Sequence, residues 1–128
     1  MPKPEMEFID PAAIPSRPVG SIPGLTEKIL SEDPATGDYT RMLQFAPGTD
    51  TTPMGVQRHD FWEEVWIIEG SIHDLTLDQT FCAGMYACRP PGMPHGPWVS
   101  TDGCRTFEIR YFPYSVTFPR KKRGAQGK

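Results

Sequence analysis

The chain has 128 residues, of which 38% are hydrophobic, and a formal net charge of −3, which bounds it to one domain around one core. Its longest apolar run, Val65-Trp66-Ile67-Ile68, is too short to span a bilayer, and no signal-like apolar stretch opens the chain, so no membrane partner is expected. All sixteen acidic residues precede Pro119, so the body is acidic, which argues against nucleic-acid binding by the domain.

Residues 1–24 carry Pro2, Pro4, Pro11, Pro15, Pro18 and Pro23, and read as an extended N-terminal arm that holds neither a helix nor an interior strand. Phe8, Ile9, Ile14 and Ile22 give that arm apolar groups to pack on the body or on a second subunit. The body spans residues 25–118. Its first strand is expected over 26–30, and the turn chemistry of 33–38 leads to a second over 39–45. Residues 51–56 lead into an apolar-polar alternation over 57–68, and 72–77 follow Gly70 as a separate strand. A turn at Asp78-Gln79, short strands over 80–83, 85–89 and 98–100, and a long one over 105–112 complete the body. Many short strands between Gly, Pro and Asp turns give an all-β sandwich or barrel. Residues 119–128, with Arg120, Lys121, Lys122, Arg123 and Lys128, read as a solvated basic tail.

Cys82, Cys88 and Cys104 are odd in number and lack a Cys-x-x-Cys pair, which favours a reducing, cytoplasmic setting over a disulfide framework or a zinc knuckle. The chemistry lies between Gln57 and His95. If 57–68 is one strand, Gln57, His59 and Glu63 share a face, and Val65 and Ile67 continue it into an apolar interior. His95, after the turn-forming Pro90-Pro91-Gly92, can close the site from a neighbouring strand. Two imidazoles, a carboxylate and an amide oxygen suit one divalent transition metal: iron, manganese, nickel or zinc. Alternation sends Glu64 to the outer face, exposed or paired with a base such as Arg58.

These motifs resemble the paired motifs of the cupin superfamily. Gly84, Pro90, Gly92 and His95 fit the second motif, with Val99 where the family usually has Asn. His59, Glu63 and Gly70 fit the first, with Gln57 where a His is usual. Residues 84–95 and Asp102-Gly103-Cys104 look most like ChrR-like anti-sigma-factor cupins and their small-ketone dioxygenase relatives. The resemblance implies a double-stranded β-helix, or jelly-roll, barrel over about residues 26–111. It also implies that His59, Glu63 and His95 are metal ligands. Gln57 then ligates through its amide oxygen or hydrogen-bonds a bound water. It further implies a dioxygenase that cleaves a carbon–carbon bond in a small diketone or hydroxyketone.

Three other readings stand beside it: a Lewis-acid isomerase, hydrolase or lyase, a ChrR-like sensor module, and a metal-free structural barrel. The Pro-rich opening leaves no room for a helical partner-binding domain ahead of the barrel, which leans towards catalysis. His73 is a candidate proton shuttle if alternation runs unbroken from Ile67, and a bulge at Gly70 would invert that inference. Arg89 is a candidate anchor for an enolate or carboxylate, with solvation as its ordinary fate. Phe61, Met93 and Trp98 are expected around a pocket for a small-molecule substrate. The exposed sheet edge and the arm favour a homodimer.

Overall fold

The computed structural model describes residues 2–113, so the basic tail and the end of the predicted body lie outside the described residues. Nine strands lie among the described residues: β1 (Arg17–Pro18), β2 (Leu25–Glu32), β3 (Tyr39–Phe45), β4 (Thr49–Asp50), β5 (Trp62–Asp74), β6 (Gln79–Cys82), β7 (Tyr86–Arg89), β8 (Trp98–Ser100) and β9 (Cys104–Tyr111). Hydrogen bonding runs β1-β2-β3-β9-β5-β8-β4, with β6 and β7 also on β5. Neighbouring strands are antiparallel throughout, and the sheet curls into the jelly-roll barrel expected from the motifs.

β5 is the spine of the barrel. Its first half pairs with β9 and β7, and its second half with β6 and β8. The strand predicted over 72–77 is therefore only the far end of β5, which stops at Asp74, and residues 75–77 lie in the turn that follows. The chain turns corner at Gly70, whose φ is +79°. A Cβ there would lie 2.0 Å from the Gly103 carbonyl oxygen, so only glycine admits this approach. Pairing with β9 shifts register between Ile67 and Glu69. That bulge inverts the parity of the strand: Glu63, Val65 and Ile67 are buried before it, Ile72 and Asp74 after it.

Two further expectations need correction. The arm does contain structure, a 3-10 turn at Pro11–Ala13 capped by Asp10 and the edge strand β1 on β2. Proline is tolerated in both, at the start of a turn and on a sheet edge where no donor is needed. Residues 51–56, which lead into the motif, carry a 3-10 turn at Thr52–Met54, with Pro53 inside it. β5 begins only at Trp62, and the stretch before it carries an isolated bridge between Gln57 and His95, outside the named strands.

The core gathers Ile22, Leu25, Leu43, Phe45, Ile67, Ile72 and Cys104 at one end of the barrel. Ile22 thus packs within its own chain, whereas Phe8 on the arm is 99% exposed. Cys82, Cys88 and Cys104 are all free thiols. No helix among the described residues is long and apolar enough to cross a membrane.

Candidate metal centre

Two irregular segments bring the donors together. Gln57 and His95 exchange backbone hydrogen bonds of 2.8 and 3.0 Å, and the Gly92 amide donates to the His59 carbonyl at 2.7 Å. The Arg58 guanidinium also donates to the Gly92 carbonyl. Gly92 holds a φ of +85°, so the Pro90-Pro91-Gly92 turn depends on its glycine to fold back on residues 57–59. The turn thereby delivers His95 to the face on which β5 presents Glu63.

Donor atoms of His59, Glu63 and His95 all lie within 4.8 Å of one another. His95 Nε2 is 3.8 Å from Glu63 Oε1. Three donors at about 2.1 Å from one ion, on one face of it, stand roughly 3 Å apart, so small side-chain rotations close the set. The chemistry fits a divalent metal. The two imidazole rings have centroids 4.8 Å apart, and His59 stacks on Phe61 at 4.5 Å.

Burial pushes the His59 pKa down, and Arg110, Arg41 and Arg89 push it further. Burial likewise takes His95 down to about 4, helped by Arg89 and His59. Both rings are neutral at pH 7, the form whose lone pair binds metal. Glu63 is raised, first by burial and then by Glu108, despite its ion pair with Arg89. Two carboxylates in one cavity favour holding a cation between them.

The remaining predicted residues divide. Gln57 lines the same cavity, and its side-chain amide donates to the Met54 carbonyl at 2.8 Å. Phe61 and Trp98 also line it, but Met93 does not: it is 42% exposed and belongs to a neighbouring apolar cavity shared with Leu77, Phe81 and Met85. Arg89 is not solvated as expected; its Nη1 sits 3.0 Å from Glu63 Oε1 and its guanidinium packs over Trp98 at 5.1 Å. His73 lies away from the centre, with Thr80 Oγ1 at 2.8 Å and Asp78 Oδ1 at 3.0 Å, because the bulge turns it outward. Glu64 accepts hydrogen bonds from the Tyr86 and Tyr111 hydroxyls rather than pairing with Arg58.

Sequence reasoning missed Arg41, Glu108 and Arg110, which line the cavity with Tyr39. Arg41 bridges two carboxylates, at 2.7 Å to Glu27 and 2.8 Å to Glu108, while Thr106 Oγ1 donates to Glu108 at 2.8 Å. The available signal was the alternation of β9, in which Thr106, Glu108 and Arg110 share a face opposite Phe107 and Ile109.

A small antiparallel barrel with a two-histidine, one-carboxylate centre inside it is a cupin. The family described as ChrR Cupin-like domain matches residues 4–110, and the chain belongs to it. That match takes in most of the arm as well as the barrel. No curated protein matches the chain. Among solved structures, an RmlC-like cupin from Shewanella frigidimarina is similar at TM-score 0.68 and 18% identity, covering 91% of this chain and 100% of that one. The polyketide cyclase RemF from Streptomyces resistomycificus gives TM-score 0.68 and 19% identity over 84% of this chain and 80% of its own. An acetylacetone dioxygenase from Acinetobacter johnsonii gives TM-score 0.66 and 16% identity over 85% and 74%. At these identities the likeness is one of fold.

Proposed function

We propose that the protein is a metal-dependent dioxygenase that cleaves a carbon–carbon bond in a small β-diketone or hydroxyketone. The observation that carries the proposal is the convergence of His59, Glu63 and His95 on the wall of a cavity of about 240 Å³. Two histidines and one carboxylate on one face of an ion leave positions open, the ligand pattern of oxygen-activating non-haem iron. The resemblance to an acetylacetone dioxygenase supports the same substrate class.

His59 and His95 would hold the ion as neutral imidazoles, and Glu63 as a carboxylate. Held by these residues, iron would polarise the substrate oxygens and relay to dioxygen the electrons that the cleaved substrate gives up. Phe61, Val65 and Trp98 give the cavity apolar walls that exclude water from the reacting end. Gln57 stands beside His95 and lines the cavity, and its amide oxygen would be the group to hydrogen-bond a bound water or to ligate the ion.

The test is oxygen uptake by iron-reconstituted protein over a panel of β-diketones, with an anaerobic control. Substrate-dependent oxygen consumption with matching loss of diketone is expected. Conversion that proceeds equally without oxygen would assign the metal a Lewis-acid role. Metal binding with no conversion of any kind would favour a binding module of the ChrR type.

A further inference from the structure

One rung of the barrel carries most of the charge. Register places Tyr39 opposite Arg110, Arg110 opposite Glu63 and Glu63 opposite Arg89, across β3, β9, β5 and β7 in turn. Glu63 therefore has an arginine on each side, and of the two it is Arg89 that pairs with it. Side chains directly opposite on one face are about 5 Å apart at Cβ, so Arg110 stands one strand away from the metal-binding carboxylate.

Arg110 is held but not neutralised. Its guanidinium carbon lies 3.9 Å from the Tyr39 ring centre, 4.8 Å from Phe61 and 5.6 Å from Phe112. Its Nε donates to the Gly37 carbonyl at 3.0 Å. Among the described residues no carboxylate pairs with it, and its terminal nitrogens make no hydrogen bond. Residues 114–128 contain neither Asp nor Glu, so no further acidic side chain of the chain is left to reach it. Arg41, by contrast, is saturated by Glu27 and Glu108. Three guanidinium groups line the cavity, balanced by Glu63 and Glu108 within it and by Glu27 on Arg41, so a divalent ion would leave the site with net positive charge. A guanidinium set in aromatic rings with its fork unspent is arranged to take a planar anion.

We propose that the cavity receives an anionic substrate, with a chelating dicarbonyl end at the metal and a carboxylate several bonds away that docks on Arg110. This rests on the metal-centre reading above, and narrows it from neutral diketones to dicarbonyl acids. Arg110 binds and orients the substrate and takes no part in breaking bonds.

The experiment is calorimetric titration of the zinc-loaded full chain with succinylacetone, a β-diketone carrying a remote carboxylate, and with its methyl ester. Zinc has no redox chemistry, so binding is read without turnover. The wild-type protein should bind the acid about tenfold more tightly than the ester, the scale of one charge-assisted contact. Arg110→Met should remove that preference while zinc content and ester affinity stay unchanged. Arg110→Lys, which keeps the charge but not the fork, should retain part of it and serves as the readout if the methionine variant fails to fold. A wild-type protein indifferent to acid and ester, or a preference that survives both substitutions, overturns the proposal. Elemental analysis and the same titration on metal-free protein separate the two readings. Absence of bound zinc with an Arg110-dependent preference for the acid would sink the metal centre and leave the carboxylate subsite standing.

Discussion

The two ends of the barrel interior are built from the same strands and have opposite chemistry. On β3 the inward residues run Tyr39, Arg41, Leu43, Phe45, and on β9 they run Arg110, Glu108, Thr106, Cys104 against them in register. Glu63, Val65 and Ile67 complete the upper rungs from β5. The closed end is a packed apolar floor of Leu25, Leu43, Phe45 and Ile67. The open end is a ring of ionised groups that would be costly to bury without partners. The floor supplies the packing and the mouth would supply the ligand recognition proposed above, with Arg41 on the rung where the two meet.

The strongest test of this division is at the mouth. His95→Ala or His59→Ala should take the protein from about one bound metal per chain to none, by elemental analysis, while leaving its thermal unfolding close to wild type. A variant that keeps its full metal content would break the ligand assignment. At the floor, Phe45→Ala should cost about 4 kcal/mol in denaturant unfolding, yet the folded fraction should keep its metal. Between them, Arg41→Met should cost about 3 kcal/mol because buried Glu108 keeps only the Thr106 hydroxyl and half-buried Glu27 keeps only Arg17. Adding Glu27→Gln and Glu108→Gln should recover a large part of that loss, and failure to recover would place the role of Arg41 in packing instead. The smallest effect is expected on the outer face of the barrel, where His73→Ala should change stability by less than about 1 kcal/mol and leave metal content and oxygen uptake unchanged.

Much of this was legible in the sequence. β3 and β8 fall on residues 39–45 and 98–100 as the patterning placed them, and the Pro90-Pro91-Gly92 turn sets His95 beside His59 and Glu63 as the motif implied. The misreadings have physical causes. Alternation counts parity along a strand, and a single bulge reverses it, so His73 faces out while Ile72 and Asp74 face in. On β9 the ordinary rule fails in a second way. Thr106 and Glu108 are buried at 1% and 5%, whereas Phe107 and Ile109 lie on the outer face with Trp66 and Tyr86. A polar interior face is affordable only where other charges complete it, and Arg41 and Glu108 find each other across 67 residues of chain. Separation of that kind leaves no trace in a local pattern.

Gly70 has no atom that could bind anything, yet it lets one ribbon serve both walls of the molecule. Below it the ribbon carries Glu63; beyond it the ribbon is laced to β8, which holds Trp98 beside His95. With the Gly103 carbonyl 2.0 Å from where a methyl would sit, the smallest side chain must pry the walls apart at this crease. Gly70→Ala would then disturb the spacing of donors on opposite walls from a distance, and a defect in ion uptake would arise at a residue that never meets the ion.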